Sequence, residues 1–169
     1  MHYCVQLLTK ELPSEEDIRK IMQPYNDDVV YGNDEEDENV EIIRPVFTWD
    51  WYQIGGRYAG RLKLKDISMY APLFYPKIPE LYLKEELDYL KKLKAEGRCD
   101  QARIKDISNV EEISAFAVVK DGKWYERGKM GWFGVVTDEK DKDAWSEQVK
   151  QLLVSLPPDT LLTMYDCHI

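Results

Sequence analysis

The sequence predicts an α+β domain with a ferredoxin-like β-α-β-β-α-β core and a large insertion after the first helix. Three observations carry this. Strand-like runs open and close the chain, at 2–7 and 161–169. A helical pattern follows the first run and another precedes the last. Between them, Asp121-Gly122 separates two strand-like stretches in the manner of a tight hairpin. Setting aside an insertion of roughly 85 residues leaves the split βαβ order. That order predicts strands one and three at the centre of the sheet and the last strand at an edge beside strand two. The alternative is a mixed sheet in which a Trp-rich hairpin is integral. We read 1–169 as a single domain, 26–39 as an acidic mobile loop, and 40–110 as the insertion containing that hairpin.

Each element has a local reason. Tyr3, Val5 and Leu7 alternate with His2, Cys4 and Gln6, a period of two. Pro13-Ser14 opens a helix, with Ser14 as N-cap, Glu15, Glu16 and Asp17 against the helix dipole, and Ile18, Ile21 and Met22 as the apolar stripe. Pro24 stops it. Val40 to Ile43 resumes an apolar run, and the segment from Val46 to Leu62 reads as strand, Gly55-Gly56 turn, strand. Period two puts Phe47, Trp49 and Trp51 on one face and Thr48, Asp50, Tyr52 and Ile54 on the other. Pro72, Pro76 and Pro79 make 70–83 irregular. Leu87, Leu90 and Leu93 fit a helix over 84–96 with Gly97 as its stop. Residues 101–107 read as a short helix or loop. Trp145, Val149, Leu152 and Leu156 line a helix over 141–155, which Pro157-Pro158 ends.

The composition excludes several classes. No stretch approaches the roughly 18–20 apolar residues of a membrane helix, and no signal-peptide pattern opens the chain, so a cytoplasmic location is expected. Net charge is −9, yet seven of the 32 acids fall between Asn26 and Asn39 with no base among them. The rest is nearly neutral, and with no basic stripe in the sequence, general nucleic-acid binding is disfavoured. The three cysteines, Cys4, Cys99 and Cys167, lack C-x-x-C spacing and read as free, buried thiols. Only His2 and His168 are present, which argues against a His-rich zinc site, and no metal or cofactor is expected.

Four clusters can carry chemistry. In the first, Gly55-Gly56 can turn backbone amides toward an anion, and Arg57 and Arg61 can hold phosphate. There Trp49, Trp51 and Tyr52 can stack a base, and Asp50 can read hydroxyl or amine groups. The second is Gly128 to Gly134, with Trp132 as a platform beside closely approaching backbone. In the third, Asp166 and His168 share one face of the last strand and are candidate acid–base or metal groups. A two-histidine phosphodiesterase was weighed for His2 and His168 and set aside, because His-x-Thr/Ser is missing from both ends. The fourth is Asp100-Gln101-Ala102-Arg103, with Arg103 and Asp106 forming an ion pair or both aimed at the hairpin.

The strings Trp49-Asp50-Trp51-Tyr52-Gln53-Ile54-Gly55-Gly56-Arg57, Asp100-Gln101-Ala102-Arg103, Gly131-Trp132-Phe133-Gly134 and Asp166-Cys167-His168-Ile169 resemble a group of small, mostly uncharacterised proteins of phages and prophage-bearing bacteria. The resemblance implies a protein of phage origin. By analogy with phage accessory proteins, it also suggests one that counters host defence.

The leading expectation is therefore a non-enzymatic binder of a nucleotide-like small molecule, a sponge for an immune signal, with Arg103 and Trp132 joining the first cluster. The alternatives are a hydrolase or phosphodiesterase using Asp166 and His168, and a protein-interaction module with an acidic decoy loop. Oligomeric state stays open, a homo-oligomer included.

Overall fold

The computed structural model describes residues 1–25, 49–69, 72–74, 83–130 and 135–169. The acidic loop at 26–39, the apolar run at 40–43, Phe47 and Thr48, and the stretch holding Gly131, Trp132, Phe133 and Gly134 lie outside these residues.

The described chain is α+β. Strand β1 (His2–Thr9) leads into α1 (Glu15–Met22), and then come β2 (Trp51–Ile54) and β3 (Leu62–Lys63). Helix α2 (Leu83–Ala95) precedes β4 (Arg98–Cys99) and β5 (Gln101–Arg103). The hairpin is β6 (Ala117–Lys120) and β7 (Lys123–Glu126), followed by β8 (Lys129–Met130), β9 (Val136–Thr137), α3 (Lys142–Ser155) and β10 (Leu161–His168). Local chemistry sets the helix ends. Ser14 and Asp17 form a reciprocal capping box. Asp141 caps α3 by accepting from the amides of Asp143 and Ala144. Gly97, at φ +69°, follows α2.

The main sheet runs β2-β10-β1-β6-β7, with β5 also paired to β10. This corrects the expected strand order. Strand β6 lies directly beside β1 and parallel to it, with no strand between them. The hairpin's return strand β7 takes the edge. Far from being an edge, the last strand β10 pairs with β1 on one side and with β2 and β5 on the other. The helices also separate. Helix α3 sends Trp145, Val149 and Leu153 onto the face carrying Cys4, Leu8, Leu162 and Met164. Helix α1 covers the other face with Met22, beside Tyr3, Val5, Leu7 and Tyr165. With both faces covered, β1 is buried along its middle on both sides.

The Trp-rich segment joins the main sheet, as the alternative reading had it, but it is not a hairpin. After β2 the chain makes a 3-10 turn at Gly56–Tyr58, and β3 then pairs with β4 in a separate two-stranded sheet. Residues 101–107, read as helix or loop, are strand β5 followed by a 3-10 turn at Ile104–Asp106.

Candidate functional site

The two ends of the chain build the site. In the antiparallel β1–β10 register, His2 lies opposite His168 and Cys4 opposite Asp166. Strand β2 sits on the other side of β10, with Trp51 opposite His168 and Gln53 opposite Asp166. Side chains of this register that share a parity point to the same face. Both histidines of the chain therefore meet Asp166, Trp51 and Gln53 at one end of the sheet.

Each histidine holds a carboxylate on Nδ1. Asp166 Oδ1 accepts from His2 Nδ1 at 2.8 Å. This fixes the proton of the neutral ring on Nδ1 and leaves Nε2 as its basic nitrogen. The other oxygen of Asp166 accepts from the Arg57 backbone N–H at 3.0 Å and from Gln53 Nε2 at 3.5 Å. Asp166 is fully buried, and His2 is mostly so. The second pair is more open: His168 Nδ1 lies 3.0 and 3.2 Å from the Asp50 oxygens. The two imidazole centroids are 4.9 Å apart. Trp51 stacks on His168 at 5.3 Å and 11° and stays 40% exposed. The Met1 amino group lies 3.3 Å from His168 Nε2 and also donates to the Ile169 carbonyl.

The Gly-Gly turn holds this arrangement from beneath. Gly55 and Gly56 adopt φ +73° and +55°, which only glycine reaches cheaply. A Cβ on Gly56 would lie 2.5 Å from Asp166 Oδ2, and one on Gly55 would lie 2.5 Å from Asp100 Oδ2. The turn's amides are spent internally: Gly55 N–H donates to the Met164 carbonyl and Arg57 N–H to Asp166. The anion held here, on the Arg57 amide, is thus the Asp166 side chain of the protein itself. Asp100 does the same job next door, accepting from Gly60 N–H at 2.6 Å and Phe74 N–H at 2.9 Å. Its burial raises the carboxyl above the ordinary range, against those two hydrogen bonds.

A cleft of about 540 Å³ opens beside His2, lined by His2, Tyr58, Arg61, Arg127, Glu139 and Lys142 among others; His168 and Trp51 do not line it. Arg61 lies over the Tyr58 ring at 4.7 Å. Tyr58 in turn donates to the His2 carbonyl at 3.2 Å. Arg127 is paired with Glu139 at 2.8 Å.

The expected site residues separate into groups. Asp50, Trp51, Gly55, Gly56, Arg57, Arg61, Asp166 and His168 gather at this end of the sheet. Trp49 and Tyr52 lie near it in sequence but pack on the opposite face, ring to ring at 4.8 Å, with Trp49 buried. The predicted period fails there because the strand begins only at Trp51 and Asp50 is a bend. Arg103 is elsewhere: it pairs in register with Leu161, at the far end of β10, and donates to the Asp159 carbonyl. Trp132 lies outside the described residues. His2, set aside on motif grounds, is the missed member; the strand register of the two termini was its only signal. The three thiols are buried, with Cys4 and Cys99 pushed up to about 12 by burial, so none is an activated nucleophile.

Among the described residues, no group of three His, Cys, Asp or Glu side chains could hold a metal ion, and no helix is long and apolar enough to cross a membrane. Comparison with protein-family models, with curated proteins and with solved structures gives no match for this chain.

Proposed function

We propose that this site cleaves a phosphoester bond in a nucleotide-like ligand by paired acid–base catalysis. The observation that supports it is the facing pair His2 and His168, each held by a carboxylate on Nδ1, with rings 4.9 Å apart. Two imidazoles at that spacing can take a proton from an attacking oxygen and give one to a leaving oxygen on the same phosphorus. His2, on the buried carboxylate, is the base. His168, on the open side, is the acid. Arg61 balances phosphate charge at the cleft mouth, and the open face of Trp51 stacks the base. The pattern of a carboxylate orienting a histidine is recognised by geometry rather than by sequence order.

The test is product formation from a panel of cyclic dinucleotides, ADP-ribose derivatives and a ribodinucleoside monophosphate. The wild type converts at least one of them. His2→Ala and His168→Ala each abolish conversion while the same compound still raises the melting temperature. A second reading, sequestration without cleavage by a phage anti-defence protein, is favoured by the exposed Trp51 platform. It predicts a thermal shift with no product from the wild type. A folded sample that neither shifts nor converts any compound excludes both. The acidic decoy at 26–39 lies outside the described residues and gains no support here.

A further inference from the structure

A second groove, of about 380 Å³, lies on the other side of the Tyr58–Arg61 ridge, between the Gly-Gly turn and α2. Arg57, Arg61, Lys92 and Arg98 all line it, against Glu96 as its acid. Arg98 lies 3.6 Å from Glu96. Among the described residues, Arg57, Arg61 and Lys92 have no carboxylate partner. Tyr89 stands 52% exposed at the same groove. Cleft and groove share Tyr58 and Arg61 as a common wall. His2 and Asp166 sit at that wall, because Tyr58 bonds the His2 carbonyl and the Arg57 amide bonds Asp166, and His168 lies against His2 with ring centroids 4.9 Å apart.

We propose that cleft and groove together hold a single-stranded RNA, with the scissile phosphate at His2 and His168 and a nucleotide on either side. This rests on the acid–base reading above and names its substrate class. A mononucleotide would fill one side only, since either volume lies in the range that takes a small ligand. Cations interleaved with exposed rings track a phosphate backbone whose bases are unstacked. The chain carries a net charge of −9 and is nearly neutral outside 26–39, so binding of a polyanion depends on this local stripe. A ribose 2′-hydroxyl supplies the nucleophile. His2 Nε2 takes its proton, the 2′-oxygen bonds to phosphorus, and the P–O5′ bond breaks. O5′ takes a proton from His168, leaving a 2′,3′-cyclic phosphate and a 5′-hydroxyl.

The probe is a fluorescein-labelled single strand of about twelve ribonucleotides, titrated by anisotropy onto His2→Ala protein at about 50 and about 200 mM salt. The three cations without a carboxylate partner predict a log–log salt slope of about −2, at about 0.7 per phosphate contact. Adding Lys92→Glu and Tyr89→Ala weakens the strand at least tenfold and flattens the slope. A DNA strand of the same sequence binds and stays intact. The groove is overturned if the long strand binds no tighter than the dinucleoside, if salt has no effect, or if the α2 substitutions change nothing. DNA cleaved as fast as RNA overturns the 2′-hydroxyl step. If the dinucleoside is cleaved and the long strand is not preferred, only the groove fails. If the long strand is held through Lys92 and Tyr89 and nothing is cleaved, the groove stands and the acid–base reading fails.

Discussion

Two glycine turns in this molecule look alike in sequence and differ in what surrounds them. Asp121-Gly122 closes the β6–β7 hairpin with both residues at positive φ, 51° and 70°, and a Cβ on Gly122 would meet nothing within 4 Å. Gly55-Gly56 also has positive φ at both residues, yet each would strike a buried carboxylate, Asp100 or Asp166. The first turn has open space where a side chain at Gly122 would stand. The second is set by side chains more than forty residues away, and its shape is the mould for the His2–Asp166 dyad.

The comparison can be broken at the inner turn first. Asp100→Ala strips the acceptor from two buried amides, Gly60 and Phe74, and is expected to cost about 4 kcal/mol in chemical denaturation. The same residue carries a pH signature. Its folded carboxyl is raised from 3.8, so the fold binds more protons there than the unfolded chain does. Its contribution is complete below 3.8 and is lost as pH rises through the folded value. Subtracting the denaturation profile of Asp100→Asn from that of the wild type isolates this decline; a flat difference would contradict it. Gly56→Ala adds backbone strain to a clash with the Asp166 Cβ at 2.6 Å and is expected to cost about 3 kcal/mol and to lose turnover. Gly122→Ala, strained but unobstructed, costs about 1 kcal/mol with turnover intact. Equal losses at Gly56 and Gly122 would show that the inner turn has no special neighbours.

The same contrast explains what could be read from the sequence. The Ser14 cap, the Lys142–Ser155 helix, the Gly97 stop and the Asp-Gly hairpin depend on residues within a few positions, and all stand where expected. Asp50, Asp166 and His168 were also named as candidates, from their residue types. The strand order was not legible, because parallel pairing of β1 with β6 is a contact across more than a hundred residues. His2 escaped for the same reason: what makes it a partner is its register with His168, 166 positions away. The basic groove was invisible because its cations come from separate segments, Arg57 and Arg61 beside the turn and Lys92 and Arg98 at α2 and β4.

Asp166→Asn tests the central claim most directly. The amide keeps the shape and one acceptor for the Arg57 N–H, but it turns an N–H toward His2 Nδ1 and forces the ring into the other tautomer. Single-turnover cleavage of the converted compound is expected to fall at least about 100-fold, with affinity for the uncleaved compound unchanged. Cleavage at the wild-type rate would mean that the buried carboxylate does not orient the base.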